Sequence, residues 1–233
     1  LDNDFYKFTM QCGVVQLFPK NKARYTFINR GKHEFPEGFA DAMREEVNNM
    51  AKLKLTKAEK QFLIDNCPYL SPLYLDFLEG YRYDPSEVHI KQNGSDLQVT
   101  VEGYWYRTIL WEVPLLSIIS ELFYKLTKAT AWTDEQVIAN TREKELLYKE
   151  LGVVFAEFGT RRRHSYHVHD IVMHTLMEGY NQTFIGSSNV HFAMKYKVKP
   201  IGTHAHEWFM FHAAEYSYKM ANALSLEHWV DVY

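Results

Sequence analysis

The sequence predicts an α/β protein in two styles: a mixed α and β part over residues 1–150 and the opening of a βα array over residues 151–233. Three observations carry this reading. Residues 151–233 run strand, polar loop, helix three times over, and such a series implies parallel strands with right-handed crossovers. The first part instead holds an alternating stretch, Ala23–Arg30, and two apolar runs joined by Asn93-Gly94, which fit antiparallel pairing. Of the 233 residues 46% are hydrophobic and 24% charged, so the chain can bury a core and is not a disordered polymer.

Each element follows from local pattern. The N-terminal stretch Asp4–Met10 opens a helix, with Phe5 and Met10 as core residues and Tyr6 offering a flat face and a hydroxyl. Ala23–Arg30 alternates as a strand. Residues 39–55, 57–65 and 71–80 read as helices. A hairpin follows over 88–92 and 97–102, because Asn-Gly tolerates the positive φ that tight turns demand. Residues 113–126 form an apolar helix starting at Pro114, a good first-turn residue. Thr133-Asp-Glu then opens a helix over 133–151. Beyond it come strands at 152–158, 183–185 and 200–201, with helices at 165–178, 190–195 and 207–223 and another from Ser225.

Composition excludes several classes. A net charge of −3 does not suit nucleic acid as the main partner. Two cysteines, Cys12 and Cys67, make neither a disulfide framework nor a Cys-based zinc site, and point to a reducing compartment. No apolar run approaches the ~20 residues that span a bilayer, and acidic Asp2 and Asp4 with Lys7 break up any signal peptide. The abrupt start at Leu1 and stop at Tyr233 read as a chain lacking residues at both ends.

In a parallel βα array the loops after the strands share one edge of the sheet, where ligands bind. Three polar segments therefore converge: Phe158–His164 (FGTRRRH), Gly186–Asn189 (GSSN) and Gly202–His206 (GTHAH). Adjacent arginines cannot all face one way, so one or two of Arg161, Arg162 and Arg163 enter the site and the rest meet solvent. An arginine fork suits phosphate or carboxylate, and a solvated basic turn is the bland alternative. GSSN begins a helix, whose free N–H groups attract anions, unless Ser187 or Ser188 merely caps it. His204 and His206 supply imidazoles able to act as nucleophile or acid/base near neutral pH. Zinc is the rival, with His164, His167, His169, His212 and Glu207 nearby in sequence, but no HExxH is present. Walker A and dinucleotide glycine patterns are also missing.

Taken together, LDNDFYKFTMQ (residues 1–11), FGTRRR (158–163), FIGSSNV (184–190) and PIGTHAHEW (200–208) resemble the nicotinate phosphoribosyltransferase family. ARYTFINR, WEVPLLSIISELFY and the terminal WVDVY are similar as well, so the resemblance covers nearly the whole chain in order. It implies an irregular, here incomplete, βα barrel (151–233, truncated at its C-terminus) with an N-terminal α+β domain (1–150) whose early helix contributes to the active site. The implied reaction joins nicotinate to 5-phosphoribosyl 1-diphosphate, giving nicotinate mononucleotide and diphosphate with coupled ATP hydrolysis, in the salvage route to NAD. Mg²⁺ accompanies the phosphates, ATP is a co-substrate, and the resemblance implies a cytoplasmic homodimer without membrane or nucleic-acid partners. Two alternatives stay open: a phosphoribosyltransferase using nicotinamide or quinolinate, and an inactive or regulatory nucleotide-binding fragment.

Residue by residue, the family's ring-stacking tyrosine falls on Tyr6, its opposing aromatic on Phe158 and the arginine of that motif on Arg161. GSSN matches the family's G-T-S-N with a conservative change, which puts Ser188 and Asn189 in the substrate site. Ser188 stands where nicotinamide-using relatives carry Asp, which favours nicotinate because Asp would repel a carboxylate. The histidine phosphorylated by ATP falls on His206, and a substrate-contacting threonine on Thr203. Arg162, with Arg30 more weakly, joins Arg161 as a cation for the leaving diphosphate. No protein metal ligand is implied. A second nicotinate-contacting arginine and the main phosphate loops of the family have no counterpart in these 233 residues, so the isolated chain is expected to be a poor enzyme.

Overall fold

In the computed structural model, residues 1–129, 131–179 and 183–233 are described. Helix α1 (Phe5–Leu17) is buried on almost every side of its first three turns, as a helix threaded through the centre of a domain must be. Its Phe5, Phe8, Met10 and Val14 form one core with Leu63, Tyr74, Trp105, Val190 and Trp208. Among its buried polar residues, one is paired at both ends of its amide. Gln11 accepts from the Tyr74 hydroxyl (2.8 Å) and donates to the Tyr106 carbonyl (2.7 Å), so its burial leaves no lost hydrogen bond.

Three strands, β1 (Lys22–Thr26), β2 (Val88–Asn93) and β3 (Asp96–Tyr104), make an antiparallel sheet in the order β1-β3-β2. The Asn93-Gly94 turn joins β2 to β3 with Gly94 at φ +59°, as the sequence predicts. Alternation sends Leu97, Val99 and Val101 of β3 to one face. There they meet α2 (Phe39–Met50) and α6 (Glu112–Thr127) in a second core with Phe39, Met43, Trp111 and Leu115. Between these lie α3 (Lys57–Asn66), closed by a Thr56/Glu59 capping box, and α4 (Pro72–Gly80), capped by Ser71. The single turn α5 (Trp105–Thr108) leads from β3 towards α6.

Helix α7 (Asp134–Glu150) starts with a Thr133/Gln136 capping box. The βα series follows: β4 (Phe155–Glu157), α8 (Tyr166–Glu178), β5 (Phe184–Ser187), α9 (Val190–Tyr196), α10 (His206–Tyr216) and α11 (Ala221–Val232). β4 and β5 are parallel, as predicted. The third strand shrinks to one parallel bridge, Ser187 to Pro200, because proline offers no N–H to extend the ladder. No closed barrel exists among the described residues.

Other boundaries move. β1 ends at Thr26 rather than Arg30, α2 at Met50 rather than residue 55, and α6 begins two residues before Pro114. The helix expected over 207–223 is two helices. Ser217 sits at φ +79°, which no α-helix accommodates. The chain turns there, and the Trp208 indole donates to the Ser225 carbonyl (2.9 Å), fastening α11 to α10.

Candidate active site

The site begins with one buried cation. Lys7 lies in the first turns of α1, wholly enclosed, where an unpaired ammonium is prohibitively costly. It reaches Glu112 at the start of α6 (2.5 Å) and also ion-pairs with Glu207 in the first turn of α10. Burial alone would depress the Lys7 pKa, but Glu207 and then Glu112 outweigh it and the net shift is upward. Glu207 further accepts from the Tyr25 hydroxyl (2.5 Å) and the Trp105 indole (2.7 Å). Glu112 passes the network outward to Arg161 (3.2 Å), in the 3₁₀ turn Thr160–Arg162 after β4. Burial would raise the Glu112 carboxyl, yet Lys7 and Arg161 hold it below its ordinary value.

Above this network opens a cleft of about 790 Å³ between the segment after β1, the face of α6, the arginine turn and the start of α10. Arg30, Arg161, Arg162, Glu112 and His206 line it, with an apolar wall including Leu115, Ile119 and Phe123. Arg161 and Arg162 of the first polar segment and His206 of the third therefore share one cavity, whereas no residue of GSSN lines it. His206 is exposed and is the first residue of the 11-residue helix α10, where the helix dipole favours an added negative charge.

The other predicted residues are placed differently. Tyr6 is partly buried beside Lys7, and burial pushes its hydroxyl up to about 12. Phe158 is 53% exposed. Neither is among the residues lining the arginine cleft. Thr203 is exposed, and its carbonyl accepts from the Thr9 hydroxyl. Ser188 and Asn189 are fully buried. The Ser188 hydroxyl donates to Asp4 (2.8 Å). Asn189 donates to Asp2 (2.7 Å) and to Thr160 (3.1 Å), while its carbonyl oxygen caps α9 by accepting from Phe192 (2.9 Å). The cap is thus Asn189, not Ser187 or Ser188.

The expected anion-binding amides of GSSN are already engaged. The Ser188 N–H goes to the Glu157 carbonyl (2.8 Å), that of Asn189 to the Ser187 hydroxyl (3.0 Å) and that of Val190 to the Asn3 carbonyl (3.2 Å). With seven residues, α9 also carries little dipole. GSSN is a structural clasp joining the N-terminal segment to the strand edge. Arg163, expected in solvent if not in the site, is instead partly buried in a two-armed pair with Asp2 (2.8 and 2.7 Å) over the Tyr166 ring.

The histidines separate too. His212 lies buried between α10 and α11, bonded to the Trp208 carbonyl (2.7 Å) and to His228 (2.9 Å). His169 sits beside Glu157 (3.0 Å). Among the described residues no three His, Cys, Asp or Glu side chains gather to hold a metal. Sequence reasoning missed Lys7, Glu112 and Tyr25, and took Glu207 only as a possible zinc ligand. A lysine among apolar residues on a central helix was the available signal.

Residues 1–120 match the nicotinate phosphoribosyltransferase (NAPRTase) N-terminal domain, and residues 153–233 match the NAPRTase family. The nicotinate phosphoribosyltransferase of Chromohalobacter salexigens is 59% identical over 100% of this chain and 60% of its own length. That of Desulforapulum autotrophicum is 45% identical with the same coverage. Among solved structures, nicotinate phosphoribosyltransferase from Porphyromonas gingivalis superposes with a TM-score of 0.95 at 43% identity, over 100% of this chain and 60% of that one. The Vibrio cholerae enzyme gives 0.91 at 29% identity, over 100% and 57%. The α/β fold of this chain is shared with these structures along its whole length, and the chain spans about three-fifths of the length of its relatives. Two matches that together cover most of the sequence, and a shared fold along all of it, leave one assignment: the chain belongs to the nicotinate phosphoribosyltransferase family.

Proposed function

We propose that the complete polypeptide transfers phosphoribosyl from 5-phosphoribosyl 1-diphosphate to nicotinate, releasing nicotinate mononucleotide and diphosphate with coupled ATP hydrolysis, in the salvage route to NAD. The observation that carries this reading is the cleft whose lining Arg30, Arg161 and Arg162 share with an exposed His206 at a helix start. Bond cleavage at the ribose anomeric carbon leaves positive charge on the sugar and negative charge on the departing diphosphate. Arginines aimed at the leaving group stabilise that charge without reorganising. His206 attacks the γ-phosphorus of ATP, ADP leaves, and water later removes the phosphoryl group as inorganic phosphate. Mg²⁺ enters with the phosphates rather than in a protein cage.

Selectivity for nicotinate falls to Arg161 and Arg162, whose charge suits a carboxylate. Ser188 is enclosed and acts only through Asp4. Tyr6 and Phe158 are the proposed faces for the pyridine ring. Tyr6→Leu or Phe158→Leu keeps apolar area but loses the flat π-face, about 1 kcal/mol or roughly fivefold in KM for nicotinate. The KM for ATP should stay within experimental error. An equal rise for both substrates in steady-state assays indicates a folding defect instead.

The division near residue 150 into an α+β part and a βα part is also a proposal, supported by the break between the two family matches at 120 and 153. A cytoplasmic homodimer completes the reading. No helix among the described residues is long and apolar enough to cross a membrane, and both cysteines are buried free thiols. Purified full-length protein supplied with nicotinate, nicotinamide or quinolinate, the phosphoribosyl donor and ATP decides the acceptor. Mononucleotide formed mainly from either of the other two overturns the nicotinate reading.

A further inference from the structure

We infer that Lys7 is a positioning residue that sets Arg161 against the helix carrying His206, and that it keeps the floor of the cleft open to anions by neutralising Glu112 and Glu207. The inference rests on the functional reading above. Lys7 comes from α1, Glu112 from α6 and Glu207 from α10, so three elements distant in sequence meet at one ammonium, and Arg161 of the turn after β4 joins them through Glu112. Lys7 is wholly enclosed and cannot itself touch a ligand. Its two partners are not interchangeable. Glu112 holds the arginine of the loop, and Glu207, adjacent to His206, is locked by Tyr25 and Trp105. Two cations and two carboxylates leave the network neutral.

The groups facing the Lys7 ammonium are Glu112, Glu207, the Tyr25 ring at 5.7 Å and Tyr6 at 5.7 Å, with Arg161 beyond Glu112. Neither tyrosine ionises in the working range, since burial raises both hydroxyls. Removing the ammonium therefore leaves two carboxylates facing each other with one remaining cation, Arg161. Like charges so placed drive one carboxyl to take up a proton well above the ordinary carboxylate range. Below that pH the pair shares a proton and holds together. Above it the pair repels, Arg161 and the start of α10 part, and the floor of the cleft turns anionic.

The test uses full-length Lys7→Met and the double variant Lys7→Met/Glu207→Gln, assayed from about pH 6 to about pH 8.5. Relative to wild type, Lys7→Met should raise the KM for phosphoribosyl diphosphate about tenfold at the alkaline end, the equivalent of one pKa unit, and recover as the pH falls. The double variant keeps only the Glu112–Arg161 pair, so its ratio to wild type should not vary with pH. A Lys7→Met profile parallel to wild type at any amplitude, or a double variant as pH-sensitive as the single, overturns the inference. If Lys7→Met does not fold, the isosteric Glu207→Gln replaces it. That variant should slow phosphoenzyme formation from ATP with the nicotinate KM unchanged, and loss of both together counts against positioning. Wild-type protein that forms no nicotinate mononucleotide refutes the functional reading, whereas active wild type with parallel variant profiles refutes this inference alone.

Discussion

Full-length protein carrying His206→Ala is expected to form no acid-labile phosphoenzyme with radiolabelled ATP and to lose ATP hydrolysis, while slow phosphoribosyl transfer uncoupled from ATP persists. The loss should be complete rather than graded, because a nucleophile is removed and alanine has no atom to replace it. Geometry favours His206 over its neighbour. It is exposed in a cleft with three arginines, at the first position of α10. A phosphoryl group there adds up to about two negative charges beside those cations and the positive end of the helix dipole. His204 is instead partly buried, edge-on to the rings of Phe209 (5.1 Å) and Trp229 (4.9 Å). An imidazole wedged between two rings has no room for a phosphoryl group. A His206→Ala enzyme that still becomes phosphorylated would show that His206 is not the acceptor.

Strand alternation is not what separates His204 from His206. Residues 201–205 are irregular, so no alternation operates there, and aromatic packing separates the two histidines. Elements with strong local chemistry were legible: the Asn93-Gly94 hairpin, the helix opened by Thr133 and the parallel pairing of β4 with β5. What escaped was set by distant partners. Ser217 carries no glycine or proline signal, yet it turns the chain so that α11 can be fastened by Trp208. Ser188 and Asn189 look like a ligand loop because they are small and polar. Their partners Asp2, Asp4 and Thr160, lying far away in sequence, turn them inward. Lys7 looks like an ordinary helix charge until Glu112 and Glu207 arrive from residues more than a hundred positions away.

The same clasp gives the largest stability effect expected of a small substitution. Gly186 sits at φ +146°, a region essentially closed to L side chains, immediately before Ser187 and Ser188. A Cβ there would also drive into the Lys199 carbonyl oxygen, far inside van der Waals contact. That oxygen accepts from the Ser187 N–H (3.2 Å) in the single parallel bridge that docks residues 199–201 onto β5. Gly186→Ala therefore meets both a closed conformation and a backbone collision that no rotamer can relieve. The strain of the first is worth about 1–3 kcal/mol, so a loss of about 3 kcal/mol in urea unfolding at constant slope is expected once the collision is added. Relaxation would move Ser187, which donates to Glu157 (2.6 Å), and loosen the turn that presents Arg161. Gly80→Ala serves as the control. It lies at the end of α4 with nothing near its missing Cβ, so alanine should stabilise the protein by up to about 1 kcal/mol through the unfolded chain. Equal midpoints for the two variants would show that the backbone at Gly186 yields without cost and that the clasp does not hold the arginine turn in place.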